Sequence, residues 1–278
     1  MIKSRFEYHA PLSLDDAAAL LPSLEGEVSI ISGGTWVVPE MTHGIRSPRH
    51  VIDLRRAGLG GIRRDNGSVV VGTTATYADV RQADAAPLEL QTMAHGITGG
   101  AQVHNQGTIG GSACYANPAS DAPGALVGLD ATFRLARGER RRELPAAEFF
   151  TGSFATVLEN GELLTEIVIP AASAGVRGGY YKFKHCESSW PIATAFCRID
   201  AEGAVTRLVL GGVSTVPVIV GNAVGAADGE AVEAAVRATA FEPWGDVLAD
   251  GGYRTRIAPV VAKRAFLAAA DDKEADEA

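Results

Sequence analysis

The sequence predicts an α+β fold, and three observations carry that expectation. A β-rich run breaks at a Gly-Gly turn, continues as an apolar helix-like stretch and returns to a second β-rich run (residues 28–54). Asn66-Gly67 sits between two β-prone runs, the signal of a tight hairpin. Near the C-terminus, two strand-like runs face each other across Glu202-Gly203, and Ala-rich helical stretches follow them.

Residues 1–57 read as a small α/β unit. Ser13 precedes Leu-Asp-Asp-Ala-Ala-Ala-Leu-Leu, an N-cap followed by acidic residues in the first turn. The run 28–32 is β-prone and stops at Gly33-Gly34-Thr35, and residues 50–54 are β-prone again. This order describes a βαβ unit, whose parallel strands need a crossover. It sets Gly33-Gly34 at a helix N-terminus, the usual position for an anion, although a plain strand-to-helix turn explains the same residues.

Residues 58–170 form a second unit. Thr73 or Thr74 is expected to cap a helix starting near Tyr77, within a helix-like run extending over 80–97. Then comes a Gly-rich segment, 102–121. Gly107, Gly110 and Gly111 allow close approach to the backbone, Thr108, Ser112, Asn117 and Ser120 add short polar groups, and Asp121 adds a charge. Such a bend suits a phosphate, and equally a turn between packed elements. Residues 131–137 alternate as a half-buried strand, 138–142 read as a turn with a charged rim, 146–150 as a short helix or loop, and 163–170 as a strand closed by proline.

Residues 171–179 look like a linker. Beyond it lie the strand-like runs 180–184, 192–200 and 205–213, helical stretches at 226–240 and 253–270, and a charged tail after Ala268.

A net charge of −8 disfavours nucleic acid or an anionic membrane as the main partner. No run approaches the roughly 18 apolar residues of a membrane span. The N-terminus lacks a signal-peptide apolar core, so a cytoplasmic location is expected. Cys114, Cys186 and Cys197 make neither a disulfide framework nor a metal-ligand pattern, and an iron–sulfur cluster needs about four ligands. The six histidines lack the HExxH spacing, so no metal site is expected. No set of acid, base or nucleophile is evident either.

Taken in order, several segments resemble the FAD-binding medium subunits of the xanthine dehydrogenase and carbon monoxide dehydrogenase family, the molybdenum hydroxylases. They are Ser32-Gly-Gly-Thr35, His50-Val-Ile-Asp-Leu54, Val71-Gly-Thr-Thr-Ala-Thr76, Asn105-Gln-Gly-Thr-Ile-Gly-Gly111, Asn117-Pro-Ala-Ser-Asp121, Glu162-Leu-Leu-Thr-Glu-Ile-Val-Ile-Pro170 and Tyr253-Arg-Thr-Arg-Ile257. The resemblance spans nearly the whole chain. It implies an FAD-binding fold of the PCMH/vanillyl-alcohol-oxidase type in two subdomains, 1–57 and 58–170. A C-terminal domain, 177–278, of three-stranded antiparallel sheet and helices completes it.

The resemblance further implies noncovalent FAD in an extended pose. Its pyrophosphate would lie between Ser32, Gly33, Gly34 and Thr35 on one side and Gly107, Thr108, Ile109, Gly110 and Gly111 on the other. Thr74, Asn117 and Ile167 join the expected cofactor set. Asp121 would accept from a ribose hydroxyl or anchor its loop; capping the following helix is the alternative. Lys184 would balance charge on the reduced flavin or stand as an exposed strand lysine, and Trp190 would lie beside the ring or within the core. Trp36 and Ser112 depart from the small polar residue and the Asn or Asp common in the family, yet both stay in the expected site.

The implied function is that of the flavoprotein subunit of a molybdenum-containing dehydrogenase. It would take electrons from the [2Fe–2S] clusters of an iron–sulfur small subunit and pass them to an external acceptor. A molybdopterin large subunit would complete a heterotrimer, paired into a dimer of heterotrimers. A stand-alone FAD-dependent oxidoreductase and a flavin-free assembly subunit are the alternatives.

Overall fold

The computed structural model describes residues 2 and 4–271. The expected charged tail falls outside the described residues from Asp272 onward. The N-terminal sheet holds β1 (Glu7–His9), β2 (Val28–Ile31) and β3 (His50–Asp53) in the order β1-β3-β2, all parallel. Helix α1 (Leu14–Leu20) starts as expected, with the Ser13 hydroxyl accepting from the Asp16 N–H. Helix α2 (Val37–His43) is the crossover between β2 and β3, so the βαβ reading holds.

A five-stranded antiparallel sheet follows, built from β4 (Ile62–Asp65), β5 (Ser68–Gly72), β6 (Thr132–Arg137), β7 (Arg140–Pro145) and β10 (Leu163–Ile169). Its order is β4-β5-β10-β6-β7, so the last strand in sequence lies in the middle. Asn66 and Gly67, at φ 48° and 83°, make the expected tight turn between β4 and β5. Between β5 and β6 run α3 (Tyr77–Gln82), α4 (Leu88–His95), α5 (Gly100–Gln106), α6 (Ile109–Tyr115) and α7 (Asp121–Gly128). The expected continuous run 80–97 is therefore two helices. Pro87, in an extended conformation, separates them and opens α4. The cap of α3 is Thr76 rather than Thr73 or Thr74, because Asp79 completes a capping box only with Thr76. Past β7, α8 (Ala146–Phe149) and the small hairpin β8 (Phe150–Gly152) and β9 (Ala155–Thr156) lead into β10. The charged rim at 138–142 is a hairpin end whose arginines reach Glu159, Asp15 and Glu162.

The C-terminal sheet has four strands rather than three: β11 (Arg177–Lys184), β12 (Pro191–Ile199), β13 (Val205–Gly211) and β14 (Val218–Ile219). Two residues are too few to show an alternating pattern, so β14 is invisible to periodicity. Helices α9 (Gly229–Ala238) and α10 (Gly251–Ala270) cover one face of this sheet. The fully buried Arg254 of α10 joins them, donating to the carbonyls of Ile192 and Gly212 and pairing with Asp246. On the other face α7 lies so close that a Cβ on Gly128 would meet the Phe196 ring at 2.3 Å. One apolar core therefore runs from the five-stranded sheet through α3, α4, α6 and α7 to Phe196 and Val209.

Candidate functional site

Two cavities, of about 230 and 310 Å³, adjoin along the turn after β2 and share Ser32, Gly33, Gly34 and Thr108. The larger cavity also touches Thr74 and Thr76, and the smaller one Thr35, Trp36, Gly110, Gly111 and Ser112. Residues of both Gly-rich turns thus line both cavities.

The turns are held together by direct backbone contact. A Cβ on Gly33 would lie 1.8 Å from the Gln106 carbonyl oxygen and 3.0 Å from the Gly107 Cα. A Cβ on Gly110 would fall 1.9 Å from the Thr73 hydroxyl. Glycine is therefore required at both positions by packing.

Their hydrogen-bonding capacity is unequal. In the second turn the N–H of Ile109 donates to Ala75, that of Gly110 to Thr73, that of Gly111 to the Thr108 hydroxyl and that of Ser112 to the Thr108 carbonyl. The Gly107 N–H donates to Val103. This turn offers smallness, with the N–H groups of Gly107 and of Ile109 to Ser112 spent inside the chain. In the first turn, the Ser32 hydroxyl is buried without a partner, and no side chain caps the N-terminus of α2. A buried orphan hydroxyl is what a polar or anionic ligand completes.

An aromatic cluster borders the space. Trp36 stacks on Tyr115, with centroids 4.9 Å apart and planes 12° apart, and meets Trp190 edge-on at 5.2 Å. Tyr115 donates to Glu40 at 2.7 Å, and burial together with Glu40 raises its phenol above the ordinary range. Trp190, far away in sequence, is thus brought to the turn that carries Trp36. Tyr115 went unremarked in the sequence, yet it lies one helical turn after Ser112 on α6 and lines the same cavity, a spacing that could have revealed it.

Other expected residues lie elsewhere. Ile109 and Ile167 are fully buried in the core. Asn117 accepts from the Ala119 N–H and borders a separate small cavity. Lys184 pairs with Glu187 at 3.0 Å. Asp121 is buried as the first residue of α7, where it accepts from Tyr180 at 2.6 Å and pairs with Lys182 at 3.0 Å; Ser120 holds the cap position. Burial pushes its carboxyl above the ordinary range, against the opposing pull of Lys182 and Tyr180.

Charged side chains around the space are mostly paired. Arg46 pairs with Glu40 at 2.9 Å. Arg55, on the larger cavity, pairs with Asp53; burial alone would raise that carboxyl, but its bonds from Arg55 and Tyr8 outweigh burial and lower it. Glu162, on the smaller cavity, is held below its ordinary range by Arg142. The glycine cradle, the unpartnered Ser32 hydroxyl and the pair of adjoining cavities fit a pyrophosphate-linked dinucleotide without requiring a free cation. Among the described residues, no helix is long and apolar enough to cross a membrane.

Residues 4–172 match the family described as the FAD binding domain in molybdopterin dehydrogenase. The carbon monoxide dehydrogenase medium chain of Hydrogenophaga pseudoflava is 33% identical over 97% of this chain and 98% of its own length. The glyceraldehyde dehydrogenase medium chain of Sulfolobus acidocaldarius is 31% identical over 78% of this chain and 79% of its own. A chain of the solved carbon monoxide dehydrogenase from Hydrogenophaga pseudoflava superposes with a TM-score of 0.90 at 35% identity, covering 97% of this chain and 98% of that one. The chain therefore belongs to the FAD-binding domain family of molybdopterin dehydrogenases, as an oxidoreductase subunit whose cofactor is FAD.

Proposed function

We propose that the chain is the electron-transfer subunit of a three-subunit molybdenum hydroxylase. It receives electrons from the [2Fe–2S] clusters of an iron–sulfur small subunit and passes them to an external acceptor, while a molybdopterin large subunit oxidises the substrate. Two such heterotrimers pair, and the assembly works in the cytoplasm. The carrying observation is the contact of Gly33 with Gln106 beside the unpartnered Ser32 hydroxyl, which supports a binding site shared by two distant turns. The medium-chain names of the relatives support the three-subunit reading. So does the scatter of Cys114, Cys186 and Cys197, none of which joins a potential metal-ligand cluster among the described residues.

Bound FAD supplies one- and two-electron redox chemistry. The chain's own residues hold and shield it. Ser32, Gly33, Gly34 and Thr35 supply hydroxyls and backbone donors to the pyrophosphate, while Thr108, Gly110 and Gly111 form the close wall opposite. Thr74 borders the end of the space away from Trp36. Trp36 and Trp190 screen the other end from water. Gly107, Ile109, Ser112, Asn117, Ile167 and Lys184 act through the walls that position these groups, while Asp121 anchors its loop to Tyr180 and Lys182. We assign 1–57 and 58–170 to the two FAD-binding subdomains and 177–278 to a C-terminal domain.

Purification from the native host tests this reading. One FAD per chain should accompany iron and molybdenum on two partner subunits. A flavin-containing chain fully active alone on an organic substrate would instead establish a stand-alone oxidoreductase, and a flavin-free chain would overturn the binding site. In Thr108→Trp, at a residue lining both cavities, bulk should remove flavin from the folded protein.

A further inference from the structure

We propose that Glu7, His9 and His50 form a site for one divalent transition-metal ion of the zinc class, which clips β1 onto β3. Glu7 and His9 are two residues apart on a strand and so project from the same face. His50 is the register partner of Glu7 on β3. The pairing of two strands therefore sets three ligand groups on one face with no linear motif to announce them.

The spacing matches the ion. His9 Nε2 lies 3.2 Å from His50 Nδ1, and a Glu7 carboxylate oxygen lies 3.4 Å from that same nitrogen. All three ligand atoms lie within 4.8 Å of one another. A tetrahedral zinc with bonds of roughly 2.0–2.1 Å separates its ligand atoms by about 3.3 Å.

The tautomer points the same way. His50 Nε2 lies 3.2 Å from the Glu25 carbonyl oxygen, to which only an N–H can bond. In the neutral ring that bond assigns the proton to Nε2 and leaves the Nδ1 lone pair facing the Glu7 carboxylate. That lone pair can be met by an N–H of His9, 3.2 Å away, or by a metal ion that displaces this proton. A histidine whose outer nitrogen is fixed by a backbone carbonyl is also the usual arrangement behind a metal ligand. Two imidazoles and one carboxylate select a borderline ion such as Zn²⁺ over Mg²⁺ or Ca²⁺, which take oxygen ligands. The Glu7 side chain is 74% exposed, so water completes the shell and the ion enters from solvent.

The site is separate from the flavin space. Tyr8, between the two β1 ligands, projects from the opposite face and donates to Asp53. The ion would tie a three-residue edge strand to its neighbour and stabilise the folded chain by linkage.

Equilibrium dialysis of the tag-free FAD-loaded protein against Zn²⁺, with metal analysis and thermal unfolding, tests the proposal. One saturable Zn²⁺ per chain and a raised unfolding temperature are expected, with Mg²⁺ giving neither. His9→Gln and Glu7→Gln should each weaken Zn²⁺ binding by about tenfold or more while flavin content stays constant. These partly exposed positions avoid the folding risk at the buried His50, and His43→Gln is the control that should leave binding unchanged. Absence of saturable Zn²⁺ uptake would overturn the proposal, leaving the His9–His50 hydrogen bond as the whole of the contact. Uptake unaffected by His9→Gln would overturn it equally.

Discussion

Gly33 and Gln106 touch through their backbones: a Cβ on Gly33 would sit 1.8 Å from the Gln106 carbonyl oxygen. Gly33→Ala must therefore push the two turns apart. It should lower stability by about 1–3 kcal/mol and strip FAD from the protein. Gly44→Ala, at the far end of α2 with φ 74° and open space around it, should cost about 1 kcal/mol through backbone strain alone and keep its flavin. Flavin absorbance per folded chain separates the two, and full FAD retention in Gly33→Ala would remove the clasp from the account.

Asp121 is committed to Tyr180 and Lys182, and Lys182 also donates to the Gly96 carbonyl at 2.9 Å. Asp121→Asn leaves a buried lysine without its counter-charge and should cost about 3 kcal/mol in urea unfolding. FAD affinity of the folded fraction should not change. A weaker FAD affinity at unaltered stability would instead return Asp121 to a ribose contact.

Glu162, with its side chain 2% exposed, accepts two hydrogen bonds from Arg142, at 2.7 and 2.6 Å. Arg142 holds its carboxyl below the ordinary range against burial. Its contribution is therefore complete above the unfolded glutamate value of about 4.3 and is lost as pH falls through the lower folded value. Glu162→Gln should cost about 2 kcal/mol at neutral pH, and the difference from wild type should close on acidification. A difference constant with pH would show that the pair contributes nothing through ionisation.

Burial pushes the thiols of Cys114 and Cys197 up to about 12, while Cys186 is exposed. At neutral pH the half-buried Cys114 and the buried Cys197 stay protonated and poorly nucleophilic. Iodoacetamide should label Cys186 alone in the folded protein and all three cysteines after denaturation, as peptide mass mapping would read. Rapid labelling of Cys114 in the folded state would show that the cavity wall opens.

Much of the fold was legible because its signals are local. Ser13 announces α1, Asn66-Gly67 turns a hairpin, and Glu202-Gly203 joins β12 to β13. The choice among Thr73, Thr74 and Thr76 needed the reciprocal bond from Asp79. At the site, the glycines were legible and their reasons were not. Gly110 is small because Thr73 stands against it, and the N–H groups of Ile109 and Gly110 are taken by Ala75 and Thr73, far earlier in the chain. Pairings such as Trp36 with Trp190, or His9 with His50, depend on which strands and turns become neighbours, which spacing does not encode.

The central place of β10 also sets an order of events during synthesis. Until Ile169 leaves the ribosome, β5 and β6 each keep an unpaired edge, and the cavity lacks the wall formed by Leu163 and Leu164. Neither the sheet nor the flavin pocket can close on a shorter nascent chain. Protease resistance and cofactor capture should therefore arise together, once the whole of β10 is available, in stalled chains of increasing length.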